Sequence, residues 1–479
     1  MKQEVKLVAR TFEIDNVAQL SDYCSEELAE STGSEMVMLS GKAAGVCYMP
    51  DDYMENGIQN NDRAIARAEQ ASESGHHSVF DHGHLTFVIK TNKMMAMILN
   101  SLGVYTTSEK SARYTKMQPE TELELQMYEK WRVKIKELIL DKYPNIDDDV
   151  LNAKMLKALN IDDKNEKVVK NGKLLIDSVR LSDEIFDKQK ESDTLPSSKL
   201  AQENARYMIS VFTPTTMMYT ISYRQAFLTM DYLEELINNC SHAKDPFSKR
   251  LTSSVMELLV ELRRVLDYAV LHDNKNQHIR FLEAQYVGEM EGSDFKCFDD
   301  LEQRLETKRN IIGDSYTLVY EGSLAMLAQA QRHRTLRYTM CLQDAGERGY
   351  YTPEIVKDAG LEDEWQEDIK GVAYCIPQGT MVRITEQGLF EDFALKCKER
   401  MCGRAQLEIM KSTTNSVKLF IENKDNLSYS NQKLLESMTL ETDERGCNGL
   451  TPCARCKFKD FKCSEGCKWG PSGALNRLI

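Results

Sequence analysis

The chain has 479 residues, 42% of them hydrophobic, which is too long for one ordinary domain and enough for two filled cores. Its formal net charge of −14 excludes holding DNA or RNA on a broadly basic surface, so any phosphate it binds should be small and held in a local cationic pocket. The start "MKQEVKLVARTFEID" lacks an apolar core of signal-peptide length, and no stretch approaches the roughly 18–20 apolar residues of a membrane span. A cytoplasmic protein without a membrane partner is expected, and its thirteen cysteines then read as thiols or metal ligands rather than disulfides.

In chain order, the run "LTFVIK" (85–90) leans towards a strand, and "ELELQMYEKWRVKIKELIL" (122–140) repeats apolar residues at helical steps. Residues 143–197, rich in Asp, Lys and Ser, read as a solvated insertion. A second helix pattern at "SSVMELLVELRRVLDYAVL" (253–271) runs into the polar linker "HDNKNQH" (272–278). Beyond it come a strand-like "SYTLVY" (315–320) and a third helix pattern, "RAQLEIMKSTTNSVKLFIEN" (404–423). The expected partition is a first domain over 1–272, a second over 276–445 and a tail over 446–479 that holds five of the cysteines.

The two large stretches invite comparison as copies. "LTFVIKTNKMMAM" (85–97) and "YTLVYEGSLAMLA" (316–328) share an order of β-run, short break and helix start, although only three of thirteen positions are identical. Near the first lies "SGHHSVFDHGHLTFVIK", with His76, His77, His82 and His84 close together. Their spacing alone leaves metal and non-metal readings open. After the second comes "AQAQRHRTLRY", where Arg332 and Arg334 flank His333. Two guanidiniums around an imidazole suit an anion or an electron-rich ring.

Gly75-His76-x-Ser78-x-x-Asp81-His82-x-x-Leu85-Thr86-Phe87 resembles the G-H-x-[ST]-x-x-E-H-x-x-F-T-F segment of flavin-dependent thymidylate synthases. The defining motif of that family, Q-x-x-R-H-R-x-x-S-x-N-E-x-S-x-R-Y, is divided here. "ILNSLGVYTTSEKSARY" (98–114) keeps Glu109, Ser111, Arg113 and Tyr114, with Ser108 for Asn, but has Ile98, Ser101, Leu102 and Gly103 where Gln and Arg-His-Arg belong. Gln329-x-x-Arg332-His333-Arg334 supplies the missing part. A third segment is divided likewise: Arg206 and Ser222-Tyr223-Arg224 stand in one half, and Ile376-Pro377, Arg400, Ala405, Gln406, Glu408 and Ile409 in the other.

The resemblance implies an α+β fold of two tandem thymidylate-synthase-complementing-type domains, each an antiparallel sheet flanked by helices. It also implies an FAD-dependent thymidylate synthase that transfers a one-carbon unit from methylenetetrahydrofolate to dUMP and reduces it to dTMP, with NADPH as reductant. Family enzymes are tetramers with sites between subunits. Complementary losses therefore imply a composite site fed by both halves, its pseudo-symmetric twin decayed, and a homodimer equivalent to the tetramer. By resemblance, Gln329, Arg332, Glu109, Ser111, Arg113 and Arg206 bind the nucleotide. His76, Ser78, Arg332, His333, Arg334, Glu109, Ser222 and Arg224 serve the flavin, and Arg400 is catalytic, its cation favouring the ionised pyrimidine ring. The departures Ser108, Asp81 and Ser222 leave open a related enzyme, for instance one hydroxymethylating a deoxypyrimidine nucleotide. A non-catalytic nucleotide- or flavin-binding protein is the reading from another class.

The tail lies outside this pattern. Cys453-x-x-Cys456 and Cys463-x-x-x-Cys467 have the paired spacing of a tetrahedral zinc site, with an iron–sulfur cluster as the competitor.

Overall fold

The structure, a computed structural model, describes residues 2–11, 25–48, 61–73, 76–110, 118–151, 193–241, 244–270, 304–310, 313–340, 348–441, 449–462, 467 and 469–479. In chain order come β1 (Glu4–Arg10), α1 (Ser25–Tyr48), α2 (Asn61–Glu73), a 3-10 turn at His77–Asp81, β2 (His84–Asn92), α3 (Lys93–Leu99), β3 (Tyr105–Glu109) and α4 (Glu122–Lys142). Then follow α5 (Pro196–Ala205), a 3-10 turn at Arg206–Met208, β4 (Pro214–Ser222), α6 (Tyr223–Cys240), α7 (Pro246–Val270), β5 (Arg304–Asn310), β6 (Gly313–Ser323), α8 (Leu324–Ala330) and β7 (Arg337–Met340). The chain continues through α9 (Glu354–Asp358), α10 (Glu362–Gly371), a 3-10 turn at Ala373–Cys375, β8 (Met381–Leu389), α11 (Phe390–Arg400), α12 (Leu407–Glu422), α13 (Tyr429–Ser437), β9 (Thr439–Glu441), β10 (Leu450–Pro452) and α14 (Gly470–Gly473).

The strand-like runs fall in β2 and β6, and the three amphipathic patterns in α4, α7 and α12. α4 starts where a capping box starts it: the Thr121 hydroxyl accepts from the Glu124 N–H at 3.2 Å, and the Glu124 carboxylate accepts from the Thr121 N–H at 3.1 Å. The linker 272–278 and residues 152–192 of the expected insertion lie outside the described residues. The ends of that insertion are corrected by the structure. Ile146, Leu151 and Leu195 are buried, and Asp147 accepts from the Ser197 N–H at 2.8 Å and its hydroxyl at 2.5 Å, which makes this a packed corner rather than a solvated one.

Two compact units form, each drawing on both sequence halves: Met1–Lys110, Val211–Asp300 and Gln331–Gln343 in one, and Ser111–Ser210, Leu301–Ala330 and Asp344–Ile479 in the other. In the first, an antiparallel sheet runs in the order β1-β2-β4-β3. Period-two alternation buries Leu85, Phe87, Ile89, Met217, Tyr219 and Ile221 on one face, each side chain stabilising the fold by roughly 1.5–3 kcal/mol. In the second unit β5, β6 and β8 pair antiparallel in that order. A core of that unit joins Trp131, Ile135, Ile139 and Tyr207 to Ile355, Trp365 and Ile369.

A local pattern occurs twice in one register. The Asn92 side chain caps α3 by accepting from the Met95 N–H at 3.0 Å, as the Ser323 hydroxyl caps α8 by accepting from the Met326 N–H at 3.0 Å. The Lys93 and Met94 N–H groups donate to the Thr213 and Val211 carbonyls, as those of Leu324 and Ala325 donate to Thr380 and Gln378. Strand partners Asn92 and Pro214 recur as Ser323 and Met381. By this register Lys93 corresponds to Leu324, Ser101 to Arg332, Gly103 to Arg334, Glu109 to Met340, and Thr215 to Val382.

Candidate functional site

In the first unit the polar chemistry gathers on Glu109, the last residue of β3. Its side chain is 4% exposed and accepts from Lys93 Nζ at 2.6 Å and from the Thr215 hydroxyl at 3.2 Å. The Arg332 guanidinium lies 3.5 Å from the second carboxylate oxygen and is 39% exposed. One carboxylate between two cations leaves a net positive charge, and Arg332 carries it to the surface. Beside it, exposed Arg334 donates to the Thr107 carbonyl, while His333 is buried. The Gln331 amide donates to the Met97 carbonyl at 3.1 Å and to the Ser101 hydroxyl at 2.8 Å. The Tyr105 hydroxyl donates to the Asn100 carbonyl and lies 3.3 Å from that of Gln331; burial pushes this phenol up to about 12, with Arg334 pulling the other way.

A separate cluster forms at the far end of β4. Asp81 accepts from the Ser222 hydroxyl at 2.7 Å and from Arg224 Nη1 at 3.1 Å. Ser222 also caps α6, accepting from the Gln225 N–H at 3.1 Å. The Arg224 Nε is buried without a hydrogen-bond partner among the described residues. His76 and Ser78 are exposed beside this turn, and a His77 ring nitrogen lies 3.2 Å from the Ser72 carbonyl. Strand rise puts Ser222 roughly 23 Å from Thr215. The flavin residues of the sequence analysis therefore fall into two groups, one with Arg332 and one with Asp81.

In the second unit Gln406 is the hub. Its Oε1 accepts from Arg206 Nη2 and from the Gln329 amide, and its own amide donates to the Tyr207 hydroxyl. Tyr207 donates on to Glu408 at 2.7 Å, and Glu408 also accepts from the Ser323 N–H at 2.8 Å and its hydroxyl at 2.7 Å. Burial pushes the Glu408 carboxyl above its usual range, against the pull of these donors and of Arg206. Arg400 ends α11 and donates to the Gln329 carbonyl at 3.2 Å. Gln329 Oε1 and Arg206 Nε are buried with no partner among the described residues. Each such atom costs about 1–3 kcal/mol unless something fills its place.

Ser111 and Arg113 lie outside the described residues. Sequence reasoning assigned no role to Lys93, Thr107, Tyr207, Gln406 or Glu408. The A-Q-x-E-I spacing signalled Gln406 and Glu408, while a lysine opening the apolar run "KMMAMIL" gave no signal for Lys93.

Of the tail cysteines, Cys463 lies outside the described residues, and among the described residues no group of three or more His, Cys, Asp or Glu could hold a metal. The Cys453 thiol lies 3.4 Å from the Met438 carbonyl, and Cys467 sits with Trp469 beside Gly403. Among the described residues no helix is long and apolar enough to cross a membrane.

Residues 27–240 match the model of a family described as thymidylate synthase complementing protein. Among solved structures, that of a UMP/dUMP methylase, PolB, from Streptomyces cacaoi bound with 5-Br dUMP is similar at 14% identity, covering 48% of this chain and 76% of that chain with a TM-score of 0.23. A superposition that loose gives no residue correspondence. The comparison with curated proteins gives no match.

Proposed function

We propose that the chain is a flavin-dependent enzyme transferring a one-carbon unit from methylenetetrahydrofolate to dUMP, with reduction to dTMP, a reading that starts from the match of residues 27–240 to the thymidylate synthase complementing protein model. The observation that supports this reading is the pooling of motif residues from both halves. Arg332 joins Glu109 in one unit, and Arg206 joins Gln329 and Gln406 in the other. Residues 276–445 are read as a second copy of the domain, on the strength of the repeated register. A homodimer belongs to the same reading.

The donor sets fit the ligands. Arg332 and Arg334, with His333, would hold the pyrophosphate and ring of FAD through cationic forks, assisted from the second cluster by His76, Ser78, Ser222 and Arg224. When bound, reduced flavin supplies the electrons that convert the transferred carbon to a methyl group, and NADPH restores it. Arg206 and Gln329, with their unpartnered buried atoms, bind the nucleotide, helped by Ser111 and Arg113. Arg400 places a cation beside the pyrimidine N3–O4 edge, which favours the ionised, electron-rich ring needed for attack from C5. Two departures from the family pattern, Asp81 and Ser222, are hydrogen-bonded to each other. Their mutual pairing gives no reason to assign a different product.

The test is direct. The purified protein should show a flavin absorption spectrum, or gain one with FAD, and should form dTMP from dUMP, methylenetetrahydrofolate and NADPH. A colourless protein that cannot be reconstituted and forms no product would overturn the reading.

A further inference from the structure

The repeated register allows each polar cluster to be compared with its own counterpart. Lys93, Glu109, Thr215 and Arg332 correspond to Leu324, Met340, Val382 and Ser101, so a cluster of three ions and a hydroxyl has three apolar residues and one small hydroxyl at equivalent positions. The helix start and its cap recur at the counterpart positions, and the pairing of Asn92 with Pro214 recurs as Ser323 with Met381. The scaffold therefore does not need the charges. Burying Lys93 and Glu109 at 7% and 4% exposure is costly, and removing one partner from such a pair is costlier still.

We propose that Lys93 is a positioning residue that occupies the Glu109 carboxylate and so keeps the Arg332 guanidinium available for a phosphate-bearing ligand. The geometry sets the order of the contacts. Lys93 Nζ is 2.6 Å from Glu109 and almost wholly buried, whereas Arg332 stands at 3.5 Å and is substantially exposed. Lys93 and the Thr215 hydroxyl share one carboxylate oxygen, leaving Arg332 only a long contact with the other. Without the ammonium, Glu109 would become the strongest anion within reach of Arg332, and the guanidinium would turn inward to it. Lys93 thus acts through Glu109 on Arg332 and need not touch the ligand. This rests on the proposed function only in taking Arg332 as an anion-binding residue.

The experiment titrates full-length protein with inorganic pyrophosphate and, separately, with dUMP, in the wild type, Lys93→Met, Lys93→Arg, Glu109→Gln and the Lys93→Met/Glu109→Gln double variant. Circular dichroism establishes that each is folded. Lys93→Met should weaken binding about tenfold or more, the worth of a charge-assisted hydrogen bond. Lys93→Arg should keep the wild-type affinity. The double variant should bind inorganic pyrophosphate more tightly than Lys93→Met does, because no carboxylate remains to capture Arg332. That recovery separates a positioning role from a structural one and from direct contact with the ligand. Unchanged affinity in Lys93→Met overturns the proposal, as does equal loss in the single and double variants, or a Lys93→Met protein that does not fold while the double variant still fails to bind. Binding of pyrophosphate without dUMP would count against the dUMP reading while still judging Lys93. Binding of neither by the wild type would overturn both.

Discussion

Ser210 and Pro377 pair as an antiparallel bridge, and each is the other's counterpart in the repeated register, just as Arg206–Met208 answers Ala373–Cys375. Pairing of counterparts is what a local two-fold relation between two copies produces. The Ser210 N–H is held by Glu124 at 2.8 Å and its hydroxyl donates to the Cys375 carbonyl at 2.6 Å. Glu124 is fully buried and also closes the capping box of α4. Glu124→Ala removes the cap and strands a buried N–H, so unfolding free energy should fall by about 2–4 kcal/mol. Urea denaturation measures this; an unchanged midpoint would show that Glu124 does not secure the bridge.

Arg332→Ala tests the exposed member of the Glu109 cluster. Since Glu109 retains Lys93, the fold and melting temperature should stay near those of the wild type. Turnover should fall roughly a hundredfold or more, as expected for loss of a charged contact to a bound anion in a partly dry site. Arg113→Ala should behave the same way. Product formation beside circular dichroism decides it, and activity within tenfold of the wild type would remove Arg332 from the site.

Periodicity sufficed for the elements. Strands β2 and β6 and helices α4, α7 and α12 stand where apolar alternation put them, because each buries one face locally. Motif spacing singled out Glu109, Arg206, Gln329 and Arg332, which stand at or just past the ends of β3, α5 and α8. Lys93 was illegible: its burial depends on a carboxylate sixteen residues away, and nothing in "KMMAMIL" points to it. That one unit draws on both sequence halves was illegible for the same reason, since Trp131 and Trp365 meet only through the fold.

Arg224 tests the second flavin group. It donates to Asp81 through Nη1 and leaves Nε without a partner among the described residues. Arg224→Ala should therefore lower flavin occupancy of the purified protein, read from absorbance, while the Ser222 cap keeps α6 in place. Wild-type occupancy would assign Arg224 to the scaffold alone.

Burial pushes the Cys453 thiol up to about 11, with Cys456 nearby adding to the effect. At pH 8 it stays protonated and unreactive, so iodoacetamide should leave it unmodified in the native protein and label it after denaturation, as peptide mass mapping would show. The folded value lies above the unfolded one of about 8.5. The contribution to stability is then present below about pH 8.5 and lost as pH rises through the folded value near 11. Cys453→Ser should reduce that alkaline loss, and rapid native labelling at pH 8 would contradict the assignment.

The Trp131 and Trp365 rings meet edge to face at 4.8 Å, both fully buried, one from each sequence half. Around them Lys134 reaches Glu364 at 2.5 Å, and Asp368 accepts from Lys130 at 2.5 Å and from the Trp131 indole at 2.8 Å. Trp365→Ala should cost about 3–5 kcal/mol through the cavity it leaves. A stronger consequence concerns the halves themselves. Residues 1–272 expressed alone would expose α4 and α5 to water, losing the partners Ile355, Trp365 and Ile369. That fragment contains only one of the three tryptophans, so its fluorescence reports on Trp131 alone. Its emission should be shifted to the red and its melt should lack cooperativity, and co-expression with residues 273–479 should restore a soluble complex with blue-shifted emission. A cooperative melt and blue emission from the isolated fragment would show that this core does not need both halves.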